Sequence, residues 1–181
     1  MHLVSLSGSP SPRSRSRWLL QLAQTRLETS AARSDVIVVR ELPSGALLDA
    51  DTKAEPIRRA IERLAAADLV LVATPIYKAA YSGLLKLFLD LLPQDALRGK
   101  TVLPLATGGS LAHFLALDYA LKPVLAALGA RDILDGVYAT DSQLAPHEAG
   151  GYVPDESLVA RLDRALQPLA APAAAEARCS A

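Results

Sequence analysis

Three short segments of the 181-residue chain hold its most chemically distinctive residues. The first is Gly8-Ser9-Pro10-Ser11-Pro12-Arg13-Ser14-Arg15-Ser16-Arg17, with four hydroxyls and three guanidinium groups at the predicted opening of a helix. Unpaired backbone N–H groups and the helix dipole favour an anion there, so the segment reads as a phosphate cradle. A serine N-cap followed by a solvated basic face would use the same residues. The second segment, Thr74 to Gly83, has a stiff turn at Pro75 and flat or apolar surface at Ile76 and Tyr77. Its Ser82 can cap the next helix, and its Lys78 either faces nucleotide phosphates or is solvated. The third, Thr107-Gly108-Gly109-Ser110, lets backbone N–H groups approach a ligand closely, because glycine adds no side chain. N–H groups at a helix start suit a ring edge that becomes negative on reduction. Turn geometry alone selects similar residues in each loop. Brought to one edge of one sheet, the loops describe a site for a flat heterocycle with one phosphate, such as FMN. Neither GxxxxGK[ST] nor GxGxxG occurs, which excludes a Walker loop and argues against a standard Rossmann NAD site.

The elements that must position these loops alternate along the chain. HLVSLSG, DVIVV, LVLVA, TVLPLATGG and DILDGVYA read as five strands. Leu69 to Ala73 is continuously apolar, the mark of a parallel strand covered on both faces. Helices are expected over about 16–29, from Thr52 (capping-box spacing to Glu55, then Pro56), over 82–92 as far as Pro93, over 112–128 as far as Gly129, and over 154–169. Pro104 is a warning inside the fourth strand, since it cannot donate to a ladder; a bulge or irregular end would accommodate it. Gly136 breaks the fifth strand. Such alternation gives an α/β doubly wound parallel sheet. Ligands bind beyond the carboxyl ends of its strands, at the switch point. The distinctive loops follow strands 1 and 3, which selects the flavodoxin-like order 2-1-3-4-5 over 3-2-1-4-5. One domain is expected over residues 1–171, with 172–181 a frayed tail.

Composition removes other classes. The 19 basic and 19 acidic residues balance, so neither nucleic acid nor an anionic membrane is an expected main partner. One cysteine, Cys179, allows no internal disulfide, and the three histidines make no zinc-binding pair. No stretch has the roughly 20 uncharged apolar residues of a membrane span, and no secretory signal is visible, so a soluble cytoplasmic protein is expected.

The segments LSGSPSPRSRS, VATPIYKAAYSGLLKLFLDLLP, GKTVLPLATGGSLAHFLALDYALKPVLAALGA and TDSQL resemble the NADPH-dependent FMN reductases of the flavodoxin-like superfamily. The resemblance runs to about Leu144 and is nearest to the alkanesulfonate-utilisation (SsuE-type) branch. It implies phosphate contacts from Ser9, Ser14, Arg15 and Ser16. It implies ring and ribityl contacts from Pro75, Ile76, Tyr77, Lys78 and Ser82, and from Thr107, Gly108, Gly109 and Ser110. The family often has Arg at the place of Ser11, so Arg13 or Arg15 must supply that charge here.

Pro123 lies inside the predicted 112–128 helix and leaves the Tyr119 carbonyl without its α-helical donor. The ladder must kink, take water or widen into a π turn. On its own residues this is an ordinary proline kink with Tyr119 packed. Reductases of the resembled branch carry an inserted tyrosine that makes a π-helix at a tetramer interface, and the resemblance assigns that place to Tyr119. His113 either touches a ring or is a surface or core residue.

The expected reaction is hydride transfer from NADPH to FMN, in which the cofactors carry the chemistry; that accounts for the lack of a visible nucleophile or carboxylate pair. The resemblance further implies a homotetramer whose reduced FMN leaves for a separate flavin-dependent monooxygenase acting on alkanesulfonates. The alternatives are a quinone, azo or metal reductase with tightly held FMN, and a flavodoxin-type electron carrier. Carriers of that type tend to be strongly acidic for docking, unlike this neutral chain.

Overall fold

The computed structural model describes residues 1–28 and 30–170. In chain order the main elements are β1 (His2–Ser7), α1 (Arg15–Leu27), β2 (Arg33–Val38), α2 (Ser44–Leu48), α3 (Glu55–Ala65), β3 (Leu69–Tyr77), β4 (Ala80–Tyr81) and α4 (Gly83–Leu89). They continue with β5 (Thr101–Gly108), a π-helical segment (Leu117–Leu121), α5 (Lys122–Ala127), β6 (Asp132–Ile133), β7 (Val137–Thr140), β8 (Leu144–Pro146), β9 (Tyr152–Pro154) and α6 (Glu156–Ala170).

The parallel sheet runs β2-β1-β3-β5, and then β6 and β7 share the far edge. This is the 2-1-3-4-5 order, with the short β6 and β7 together standing as the fifth strand. β3 is central and its residues Leu69 to Ile76 are all buried. One apolar layer joins Val4, Val70, Val72 and Val102 to Ile57 and Leu64 of α3 and to Leu85 and Phe88 of α4. The opposite layer joins Leu3, Leu71 and Leu103 to Leu19 and Ala23 of α1 and to Leu158 and Leu162 of α6. Alternate residues of each strand feed opposite layers, as a strand's period of two requires. Among the described residues, no helix is long and apolar enough to cross a membrane.

Several expectations are corrected. Thr52 does not cap α3: its N-cap is Ala54, whose side chain cannot accept. Asp51 instead takes the N–H groups of Lys53 and Ala54 through Oδ1, at 3.0 and 3.2 Å. Pro104 needs no bulge. It stays in register with Val72 of β3, while on its other side the neighbouring strand is interrupted between β6, paired to Thr101 and Val102, and β7, paired from Leu105 onward. The gap falls where proline has no N–H to offer.

The single helix expected over 112–128 is three pieces: a 3-10 turn at Leu111–His113, the π segment and α5. In the π segment the Lys122 N–H reaches the Leu117 carbonyl, five residues back. Of the three ways to accommodate Pro123, the chain takes the wider turn. Tyr119 sits in it 79% exposed, not packed as an ordinary kink would have it. Cys179 and the tail from 172 lie outside the described residues.

Candidate active site

The loops after β1, β3 and β5 meet at the carboxyl edge of the sheet around an open pocket of about 250 Å3. Ser9, Ser14 and Arg15 line one end; Pro75, Ile76, Tyr77, Thr107, Gly108 and Gly109 line the rest. Ser11, Arg13 and Asp141 complete it. Five strands of sheet order therefore convert three separate sequence segments into one wall.

At the first loop the serine-cap reading holds, and it leaves helix-start N–H groups open. Ser14 is the N-cap of α1, its Oγ accepting the Arg17 N–H at 3.1 Å and lying 2.9 Å from Ser16 Oγ. The N–H groups of Arg15 and Ser16 have no acceptor among the described residues, and they open a helix next to the pocket. Ser9 Oγ takes the Ser11 N–H at 3.2 Å and shapes the turn. Arg15 is held from three sides. Its Nε donates to the Leu144 carbonyl at 3.2 Å, its NH1 is 3.6 Å from Asp141, and its guanidinium lies 4.9 Å over the Tyr152 ring.

The first and second loops are tied together behind the pocket. Gly8 donates its N–H to Ala73 O at 2.8 Å, and its carbonyl accepts from Ser82 Oγ. The Ser82 N–H goes to Thr74 Oγ1 at 3.0 Å, and Ser82 Oγ also takes the Leu85 N–H at 3.1 Å, capping α4. A Cβ on Gly8 would lie 2.6 Å from Leu85 Cβ, so only glycine permits this approach of loop to helix. Ser82 and Ser16 are fully buried and stand behind the wall, outside the pocket lining.

The second loop ends in a tight hairpin of β3 with β4. Its two turn residues, Lys78 and Ala79, both have positive φ, 48° and 62°. That is the I′-type geometry, normally taken by Asn or Gly, so two ordinary L-residues are strained beside the pocket. Lys78 is exposed and does not line the pocket.

The third loop is fixed from beneath by Tyr138, whose buried hydroxyl donates to Ser110 O at 2.7 Å. Burial, and then the charge of Asp141, pushes the Tyr138 phenol above its ordinary value, so it stays protonated as a donor. A Cβ on Gly108 would fall inside contact distance of that hydroxyl. Ser110 caps the short turn that follows, taking the Ala112 N–H at 3.1 Å, and stands just beyond the lining. His113 is exposed in that turn, and Tyr119 lies outside the pocket on the π segment.

Sequence reasoning missed Asp141 and Tyr138. Asp141 had one signal, its place in TDSQL; Tyr138 had none, because its partner Ser110 is 28 residues away.

The residues present fit a flavin mononucleotide. One end offers serines, Arg15 and free helix-start N–H groups to a dianion; the other offers Pro75, Ile76 and the Gly108–Gly109 backbone to a flat ring. Residues 1–145 match the family model described as NADPH-dependent FMN reductase. The chain belongs to that family. The reductase is 48% identical over 168 residues to the FMN reductase (NADPH) of Escherichia coli strain K12, covering 92% of this chain and 87% of that one. It is 33% identical over 175 residues to the NADH-dependent FMN reductase SfnF of Pseudomonas putida, covering 94% and 92%. Among solved structures, the apo form of the NADH:FMN oxidoreductase EMOB matches it with a TM-score of 0.85 and 39% identity, over 93% of this chain and 88% of that one. The reductase is thus an NAD(P)H-dependent oxidoreductase that uses FMN and NADPH.

Proposed function

We propose that the reductase takes FMN as a substrate, reduces it with NADPH, and gives up the product to a separate flavin-dependent monooxygenase that desulfonates alkanesulfonates. One observation carries the first part. The pocket, at about 250 Å3, is below the ~300–1,000 Å3 typical of sites that engulf a ligand, and it is an open rim. A rim grips a phosphate and one flank of a ring and leaves the remainder reachable, which suits exchange.

When bound, FMN supplies the hydride-accepting ring. The chain's own contribution is binding and orientation. The N–H groups of Arg15 and Ser16, with Ser9 and Arg15, would hold the phosphate. Pro75 and Ile76 would support the ring, and the backbone at Gly108 and Gly109 would offer N–H groups to the negative charge the ring gains on reduction. Tyr77, half exposed at 50%, lines the open side of the pocket.

Homotetramer formation belongs to the same proposal. Leu111, Phe114, Leu115 and Tyr119 are 66, 45, 53 and 79% exposed along the segment joining the third loop to the π turn. Four large apolar side chains so placed favour burial against another copy of the chain.

The test is anaerobic mixing of the purified chain with NADPH and excess FMN. More than one equivalent of flavin should bleach per chain, and size-exclusion chromatography should separate protein from reduced flavin. Bleaching of one retained equivalent, with ping-pong kinetics toward an added quinone, would instead establish a retained-flavin enzyme. Tyr119→Ala should shift the oligomer to smaller species and change flavin release; no change in either refutes the assignment of Tyr119.

A further inference from the structure

A second and larger cleft, about 760 Å3, lies between the start of α1 and the β8–β9 hairpin. Arg13, Ser14 and Arg15 form the wall that separates it from the flavin pocket and face both spaces. Its volume is well inside the range for small-molecule sites.

The cleft is built, and its chemistry is specific. The turn joining β8 to β9 is closed by His147 N–H to Gly151 O at 3.1 Å and Gly150 N–H to His147 O at 2.9 Å. Gly150 and Gly151 have φ of +91° and +81°. A Cβ on Gly151 would lie 2.6 Å from Trp18 Nε1, so the turn closes over the indole only with glycine there. Tyr152 is pinned by its hydroxyl, which donates to Arg13 O at 3.2 Å. An indole and a phenol ring therefore form part of the lining, together with Gln21.

Charge decides what such a surface takes. Arg13, Arg15 and Arg17 line the cleft against one acid, Glu148. Arg15 is committed to Leu144, Asp141 and Tyr152. Arg17 has only Glu41, at 3.3 Å, and the Arg13 guanidinium has no hydrogen bond or ion pair among the described residues. Arg13 is therefore free to meet an anion and Arg17 is held by a single ion pair, beside an indole and a phenol ring that are partly covered, by the Gly151 turn and by Arg15, and whose remaining surface lines the cleft.

We propose that this cleft takes the adenosine 2′-phosphate end of NADPH, with Arg13 and Arg17 on the phosphate and Trp18 and Tyr152 against the adenosine. The inference rests on the reading that NADPH reduces flavin at the neighbouring pocket. Its nicotinamide must reach the ring there, and its other half must then lie within one dinucleotide's length. The shared Arg13–Arg15 wall puts the cleft in that position. Guanidinium groups grip a phosphate in a planar two-point fashion, and NADH offers no phosphate at that place.

The test uses the full chain and two readouts. By calorimetry on flavin-free protein, 2′,5′-ADP should bind more tightly than 5′-AMP, and Arg17→Ala should weaken 2′,5′-ADP about tenfold or more, in line with loss of a charge-assisted contact. In steady state Arg17→Ala should raise the KM for NADPH about tenfold while the KM for NADH changes less than about twofold, and Arg17→Lys should recover part of the loss. Equal rises in both KM values, or 2′,5′-ADP binding that Arg13→Ala and Arg17→Ala leave intact, overturn the inference alone. Displacement of 2′,5′-ADP by equimolar inorganic phosphate also overturns it, by marking a general anion site. A parent chain that oxidises no NADPH with FMN overturns the functional reading as well.

Discussion

Gly108→Ala tests how the third loop is held. The backbone there is not left-handed, so alanine carries no φ penalty, and any effect comes from the added methyl. That methyl would collide with the Tyr138 hydroxyl, while Tyr138 Cζ at 3.3 Å is tight and Ile76 Cβ at 3.6 Å is in ordinary contact. Tyr138 is 2% exposed and packs edge-on to Phe114, with centroids 6.1 Å apart, so its ring has little room to retreat. Forced packing costs about 1–3 kcal/mol. A broken bond to Ser110 O, leaving a buried hydroxyl unpaired, costs about 1–3 kcal/mol more. Gly108→Ala should therefore destabilise by about 3 kcal/mol. Tyr138→Phe alone should cost about 1 kcal/mol for the lost hydrogen bond. The double variant removes the colliding atom, and should cost only about 1.5–2 kcal/mol, less than the two singles added. Urea unfolding of the four proteins measures this cycle, and titration with FMN follows the loop, with weaker binding expected for Gly108→Ala than for the double variant. Strict additivity, or a stable Gly108→Ala that binds FMN normally, would refute the steric argument.

Ser82→Ala removes the α4 cap and the donor to Gly8 O together, and should cost about 2–3 kcal/mol in urea unfolding and weaken FMN binding. Ala79→Gly relieves a left-handed alanine, worth about 1–2 kcal/mol, against about 0.5–1 kcal/mol of added chain entropy, so a gain of up to about 1.5 kcal/mol is expected in urea unfolding. Burial pushes the Asp35 carboxyl up, but the His2 ring bond at 2.8 Å and the Arg33 charge outweigh it and hold the group below its ordinary 3.8. A depressed carboxylate stabilises above its unfolded value and loses that contribution as pH falls through its folded one. Asp35→Asn should therefore be less stable than the parent at neutral pH, with the gap closing below pH 3.8; a gap that persists in acid refutes the charge argument.

The sheet was legible because burial is written into composition: Leu69 to Ala73 admits no polar face, and the loops that follow β1 and β3 stand out for their residue types. A serine cap in the first loop and Ser82 as a cap were readable for the same local reason. What escaped was non-local. The β3–β4 hairpin needs two strained L-residues that no turn signal advertises, and the β8–β9 hairpin has strands of only three residues. Pro104 looked like a defect until its neighbour strand was seen to be broken opposite it. Asp51 displaced Thr52 at the start of α3 because a carboxylate two and three residues ahead of the N–H groups it accepts from competes directly with a hydroxyl. The site's lower half, Tyr138 and Asp141, exists only once β7 is placed beside β5.

The staple of Gly8, Ala73, Thr74 and Ser82 has a thermodynamic consequence for the molecule at rest. Because these bonds form among backbone and buried hydroxyls, the anion end and the planar end of the recess are locked to each other before any guest arrives. The loss of loop freedom that usually opposes association has already occurred during folding, so weak, reversible contacts suffice for capture and leave little to undo on departure.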